Sequence, residues 1–362
     1  MRLVATKACP PGARLAKCIF NEQGLVLLGE RVELTQSMLD RLISHGIHYI
    51  YIEDHRTDDI VVPDLITDAT RSRAIQELRT QFRKIVDENI RSRGMASIQT
   101  GKHLRSLMEL ILDDLTRNKD ALIMITNMSI TDHYLFSHSL NVSMYATLLG
   151  MAMGMSKDEL MVLGLGALLH DIGKMQLPLD LLYKPGKLTD DEFALVKQHA
   201  EIGFKLLKDI PNLPLISAHC AYQHHERVDG SGYPRGLKGD EIHEYAKLIG
   251  LCDVYDAMTS HRSYRSAHLP HDAMEMIYAV SGKHFEQEHI ELFRSKVAIY
   301  PLGMTVKLST GETGVVVDLN ASCLHRPVVR VLEDEFGQAL KEPYEIDLSK
   351  RLSISIEGIS ES

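Results

Sequence analysis

Two histidines stand side by side at His224 and His225 in the run YQHHERVDGSGYP, and a His-Asp pair stands at His170 and Asp171 in HDIGK. An imidazole nitrogen next to a carboxylate able to bridge offers ligands for two cations. Either dipeptide alone arises by chance, and the chain holds 18 histidines. A lone histidine is more often solvated or hydrogen-bonded than a ligand, and His45, His103, His243, His284 and His325 are read that way. His138 in YLFSHSLNVS, His199 in VKQHAEIG and Asp253 in GLCDVYDAMTS change the balance. From His138 to His170 is 32 positions, from Asp171 to His199 28, from His199 to His224 25, and from His225 to Asp253 28.

This inventory supplies imidazole and carboxylate but no thiolate, which suits iron, manganese or zinc better than a structural zinc clamp. More than four ligands implies more than one metal, with a carboxylate such as Asp171 bridging. Two cations about 4 Å apart activate a water and neutralise a phosphoryl oxygen, so phosphodiester hydrolysis is the natural reaction. Lys174, three residues after Asp171, shares its face if the segment is helical; otherwise it is a surface lysine. Gly230, Gly232 and Pro234 make a turn that a helix bearing side chains cannot. That turn lets backbone approach a substrate, while Tyr233 either shapes the pocket or packs under the loop.

Such intervals fit one ligand group per successive helical segment, brought to one point in a bundle. The chain from about Asn118 to Tyr300 reads as nearly all helix, rich in Met, Leu and Ala. Before it lies a small α+β unit over residues 1–56, with strands at LVLLG and HYIYIE and a helix capped by Thr35. Residues 57–117 read as a polar linker, from Thr57 to Pro63, followed by charged helices. Ile75, Leu78, Phe82 and Ile85 repeat there at roughly heptad spacing. That spacing fits a helix packed on its own domain or a homodimer seam through helices around residues 70–115. After Pro301, residues 301–362 read as a β-rich subdomain: MTVKL, TGVVVDL, PVVRVL and YEIDL.

The 362 residues suggest two or three domains, and a net charge of -9 argues against binding a DNA or RNA duplex. A local basic pocket for an anionic ligand stays compatible with that total. The start reaches Pro-Pro-Gly before any signal core forms, and no apolar run approaches membrane-spanning length. Five scattered cysteines without a CxxC pair fit a reduced, cytoplasmic chain.

Taken in order, HSLNVS, HDIGK, QHAEIG, HHERVDGSGYP and DVYDAMTSHRSYR resemble the HD-GYP family, a branch of the HD phosphohydrolase superfamily that hydrolyses cyclic di-GMP. The likeness covers about half the chain. It implies a mainly α fold, an HD-type helical bundle flanked by the α+β unit and the β-rich extension. It also implies a binuclear centre, iron or manganese first, in which a metal-bridging hydroxide attacks phosphorus. His138, His170, Asp171 and Asp253 would hold one metal, and Asp171, His199, His224 and His225 the other. Lys174 would contact the phosphate or assist the leaving oxygen. Arg262 and Arg265 would grip phosphate or guanine, and Gly232, Tyr233 and Pro234 would line the substrate's path. Some members place a glutamate four residues before the first histidine to ligate a third metal. Here that position is Tyr134, so two metals are expected. The product would be pGpG, with GMP as a further step. Alternatives are a hydrolase of another cyclic dinucleotide, such as cyclic GMP-AMP, and a catalytically idle cyclic di-GMP receptor.

Overall fold

Thr35 starts the first helix, α1 (Gln36–Ser44), by accepting a hydrogen bond from the Met38 amide. Around it, β1 (Arg2–Ala5) pairs antiparallel with β4 (Tyr49–Ile52), and β2 (Ile19–Phe20) with β3 (Val26–Leu28). Leu15, Ile19, Leu34, Leu39, Leu42 and Ile50 close a small core of their own. The computed structural model describes residues 1–21, 25–91, 95–118, 134–184, 186–260, 268, 270–320 and 322–359.

Two long helices follow, α2 (Asp68–Arg91) and α3 (Met95–Arg117). Ile75, Leu78, Phe82 and Ile85 of α2 are no more than 4% exposed and share one core with Leu104, Met108 and Ile111 of α3. Their spacing therefore serves packing within the chain. That core continues into α4 (Tyr134–Ala152), α5 (Lys157–Leu169), α7 (Asp190–Leu207), α8 (Leu215–Gln223) and α9 (Glu244–Thr259), while the short α6 (Leu179–Leu182) lies outside it with no buried residue. Helices α10 (Pro270–Ala279) and α11 (Gln287–Lys296) close the bundle. Capping boxes start α5, through Ser156 and Glu159, and α7, through Thr189 and Glu192. Helix α5 is buried from Leu160 to Leu169 except at Val162. A helix apolar on all sides belongs at the centre of a bundle, and α5 delivers His170 and Asp171 there.

The C-terminal strands β5 (Thr305–Leu308), β6 (Thr313–Asp318), β7 (Val328–Glu333), β8 (Ala339–Asp347) and β9 (Ile356–Ile359) form one antiparallel sheet, ordered β8-β7-β6-β5-β9. Its inner face is not self-sufficient. Leu3, Tyr51, Ile60 and Val62 enter the same core as Val306, Val315, Val329 and Val331. The Tyr51 hydroxyl donates to the Leu302 carbonyl at 3.0 Å, and the Leu3 amide to Gly303 at 2.7 Å. Arg330 of β7 reaches Asp59 at 2.7 and 2.6 Å and Glu345 at 2.7 Å. The stretch from Thr57 to Pro63, polar in sequence, thus carries two buried anchors into the sheet. Among the described residues, no helix is long and apolar enough to cross a membrane.

Candidate metal centre

Helix α5 ends at His170, and the chain turns at Asp171 into a short 3-10 helix, Ile172–Gln176. This turn lies directly on α7: a Cβ added at Gly173 would sit 1.9 Å from the His199 carbonyl oxygen. Only glycine permits that approach, which brings Asp171 and His199 together. Helix α8 stops at Gln223, with His224 as its C-cap, and the rings of His224 and His225 lie 4.0 Å apart, centroid to centroid. Helices α4 and α9 supply His138 and Asp253.

His138, His170, His199 and His224 are fully buried, and the last three share one geometry. The Nδ1 of His170 lies 2.7 Å from the Ala167 carbonyl, that of His199 2.6 Å from Val196, and that of His224 3.0 Å from Ala221. A carbonyl only accepts, so in each case Nδ1 donates and Nε2 is left with a lone pair. His138 differs in that Nδ1 faces a carboxylate, 2.7 Å from Asp256 Oδ2, while Nε2 stands 3.1 Å from Asp253 Oδ1. All four Nε2 atoms converge on Asp171. His138 and His170 each stand 3.5 Å from Oδ2, while His199 stands 3.3 Å and His224 3.7 Å from Oδ1.

Lone pairs aimed at a buried carboxylate repel it unless positive charge lies between them. Among the described residues, His170 Nε2 and Asp171 Oδ1 are buried without a hydrogen-bond partner. The donor set therefore fits divalent cations. Asp171, His199, His224 and His225 present ligand atoms within 4.8 Å of one another, as do His138, His170 and Asp171. Asp171 belongs to both groups. Asp253 stands between them, with Oδ1 3.1 Å from His138 Nε2 and Oδ2 3.7 Å from His225 Nδ1.

The electrostatics agree with ligand service. Burial pushes the His199 imidazole down to about 3 and lowers His224 and His225 too, so all three are neutral donors. For Asp171, burial works to raise the carboxyl, but Lys174 and His170 outweigh it and hold it well below the usual carboxylate range. Asp253 is likewise held low against its burial, chiefly by the His138 hydrogen bond and by His225. Burial works to lower His138, and hydrogen bonds to Asp253 and Asp256 override it and raise its pKa.

The His225 side chain is 14% exposed and that of Lys174 20%, with the Lys174 ammonium 2.5 Å from Asp171 Oδ2. Tyr233 lies flat on His225, ring centroids 4.6 Å apart and planes 29° from parallel. Gly232 lets this loop fold back, since a Cβ there would meet the Arg227 amide at 2.4 Å. Pro234 follows as an exposed residue of the same loop. Arg262, Arg265 and the side chain of Tyr134 lie outside the described residues.

Two residues that organise this site carry no role in the reading from sequence. Asp256 orients His138 and itself accepts from Asn141 at 3.0 Å and Ser260 at 3.2 Å. Its signal was present in DVYDA: three positions after Asp253, it shares a helix face with it. Glu226 is buried and accepts from the Arg235 and Leu237 amides at 2.8 and 2.9 Å, which ties down the loop after Tyr233. Asp229 accepts from the amide and hydroxyl of Ser231 and so shapes the turn.

Comparison with known proteins gives this geometry a context. Residues 121–288 match the HD domain model, and residues 305–361 match a KOW domain associated with HD domain. A cyclic di-GMP phosphodiesterase of Pseudomonas aeruginosa is 36% identical over 231 residues, which is 63% of this chain and 55% of that protein. The cyclic di-GMP phosphodiesterase response regulator RpfG of Xanthomonas campestris is 36% identical over 176 residues, 48% of this chain and 47% of its own. A 3'3'-cGAMP-specific phosphodiesterase of Vibrio cholerae is 34% identical over 157 residues, 43% of this chain and 30% of that protein. The chain thus spans about half the length, or less, of these relatives.

Proposed function

We propose that the chain belongs to the HD-GYP branch of the HD domain family and is a metal-dependent phosphodiesterase opening cyclic di-GMP to pGpG; the match of residues 121–288 to the HD domain model and the similarity to a cyclic di-GMP phosphodiesterase support this. The observation carrying this reading is the convergence of four buried imidazole Nε2 atoms on one shared carboxylate, Asp171. His138, His170, Asp171 and Asp253 hold one metal, and Asp171, His199, His224 and His225 the second. The all-nitrogen-and-oxygen donor set suits iron or manganese. When bound, two divalent cations supply an activated water and neutralise charge on the phosphoryl group.

The protein's own groups do the rest. Fully buried imidazoles keep bulk water from the ligand atoms, which strengthens every electrostatic contact made there. Lys174 reaches solvent beside Asp171 and donates to a phosphate oxygen or to the leaving oxygen. Tyr233 is pushed up by burial and by the charges of Asp253 and Asp171. Its hydroxyl therefore stays protonated and serves as a donor. Arg262 and Arg265 grip a phosphate or guanine, for which guanidinium geometry is suited. Five free thiols suit a reducing, cytoplasmic setting.

A second reading, hydrolysis of a cyclic GMP-AMP, is favoured by the similarity to the Vibrio cholerae enzyme. Chromatography of products formed by metal-replete protein from each dinucleotide, supplied alone and in competition, tests the choice. Faster loss of cyclic di-GMP with accumulation of pGpG is expected. Preferential cleavage of cyclic GMP-AMP would transfer the assignment to the second reading. Tight binding of cyclic di-GMP without turnover would make the protein a receptor.

A further inference from the structure

On the side of Tyr233 away from the metal ligands, α7 presents two residues that the ligand set does not use. Phe193 and Lys197 stand four positions apart on one helix face. Phe193 is 43% exposed although aromatic. Its ring meets Tyr233 edge-on, centroids 6.2 Å apart and planes at 83°. The Lys197 ammonium lies over both rings, 4.6 Å from the centroid of Phe193 and 5.5 Å from that of Tyr233. Among the described residues, that ammonium meets these two ring faces and no carboxylate. Tyr233 in turn stacks on His225, so the surface runs unbroken from the helix exterior to a metal ligand.

A cyclic dinucleotide carries two phosphates and two bases, and the metal centre engages one phosphate. The other keeps its negative charge and must be received by a protein whose net charge is -9. Lys174, paired with Asp171, is assigned to the phosphate that is cut, and Arg262 and Arg265 lie outside the described residues. Arg227 points its guanidinium at the His224 and Glu226 carbonyls, within the loop. Lys197 has no anionic partner among the described residues and two rings beside it, one of them stacked on His225. A half-buried ammonium of this kind binds a phosphate strongly, because less water competes for it. Exposed aromatic faces receive a nucleobase by stacking.

We propose that Phe193, Lys197 and Tyr233 form the subsite for the distal half of the substrate. Lys197 neutralises the phosphate that is not cut, and Phe193 stacks on a base. The inference rests on the reading of the chain as a cyclic-dinucleotide phosphodiesterase. It assigns Lys197 to substrate recognition and leaves the metals to the residues already described.

The test is steady-state kinetics of metal-replete wild type, Lys197→Gln, Lys197→Arg and Phe193→Ala on two substrates. One is cyclic di-GMP; the other is bis(p-nitrophenyl) phosphate, which has a single phosphate and no distal half. Lys197→Gln is expected to lower kcat/KM for cyclic di-GMP by about tenfold or more through KM, the size of a lost charge-assisted contact. Hydrolysis of bis(p-nitrophenyl) phosphate is expected to stay unchanged, Lys197→Arg to recover most of the loss, and Phe193→Ala to raise KM for the dinucleotide only. Thermal unfolding and metal content of each variant exclude a folding defect. If Lys197→Gln matches wild type on both substrates, or falls equally on both, the subsite is wrong and the proposed reaction stands. If wild type cuts bis(p-nitrophenyl) phosphate but neither binds nor cuts cyclic di-GMP, the proposed substrate is wrong and the subsite falls with it.

Discussion

The His138 ring and the Asp256 carboxylate are locked together, Nδ1 to Oδ2 at 2.7 Å, across 118 positions of sequence and with both groups fully buried. This contact fixes the tautomer that turns Nε2 toward Asp171 and Asp253. Such outer partners set both the orientation and the basicity of a metal-ligating imidazole. Asp256→Asn should therefore lower metal affinity or activity by about 10–100-fold while leaving the fold intact. Metal titration of chelator-treated variant and wild type, followed by circular dichroism, checks it. Equal affinities would remove Asp256 from the metal centre.

Gly173 is where two ligand-bearing elements touch. Gly173→Ala drives a methyl against the His199 carbonyl, 1.9 Å away, and either α7 or the turn at Asp171 must shift. A destabilisation of about 1–3 kcal/mol is expected from overpacking, together with loss of bound metal. Chemical denaturation paired with metal analysis measures both, and a variant unchanged in both would show that the contact is slack.

Glu226 holds the loop after Tyr233 through two amide donors. Glu226→Ala leaves both amides without their buried acceptor, which costs about 1–3 kcal/mol. With the loop released, KM for the dinucleotide should rise while metal content stays at the wild-type level. Loss of metal instead would assign Glu226 to the centre rather than to the loop.

The clamp between Asp59 and Arg330 predicts an acid-sensitive tie between the Thr57–Pro63 stretch and the C-terminal sheet. Hydrogen bonds from Arg330 lower the Asp59 carboxyl from 3.8 to about 2. A folded-state pKa below the unfolded one adds stability that is present above pH 3.8 and is lost as the pH falls through about 2. The side chain is 62% exposed, so solvent screening keeps the effect below about 1 kcal/mol. Comparing the acid limb of the unfolding midpoint for wild type and Arg330→Met should show a shallower fall in the variant. Identical limbs would contradict the pairing.

Much of the metal centre was legible because its ligands are local signatures repeated at helical intervals. Neither HDIGK nor the His224–His225 pair names its chemistry alone, but together with His138, His199 and Asp253 at these intervals they place one group on each of several helical segments. The mainly helical core and the C-terminal strands followed from composition and periodicity in the same way. What escaped depends on contacts distant in sequence. Glu226 stands next to the histidine pair, yet its partners lie nine and eleven residues on, inside a loop without periodicity. Ile60 and Val62 sit in a polar run and disclose their burial only when strands some 250 residues later supply the other half of the core. Phe193 and Lys197 look like an ordinary solvated helix face until Tyr233 folds against them.

The central claim is that Asp171 is the carboxylate shared by two cations in a phosphodiesterase site. The most direct measurement is anaerobic metal analysis of purified wild type and Asp171→Ala, coupled to cyclic di-GMP turnover on the same samples. Wild type should carry two divalent metals per chain and release pGpG, and Asp171→Ala should lose both the second metal and turnover without unfolding. A wild type that turns over with one metal or none, or an Asp171→Ala variant that keeps two metals and full activity, would contradict it.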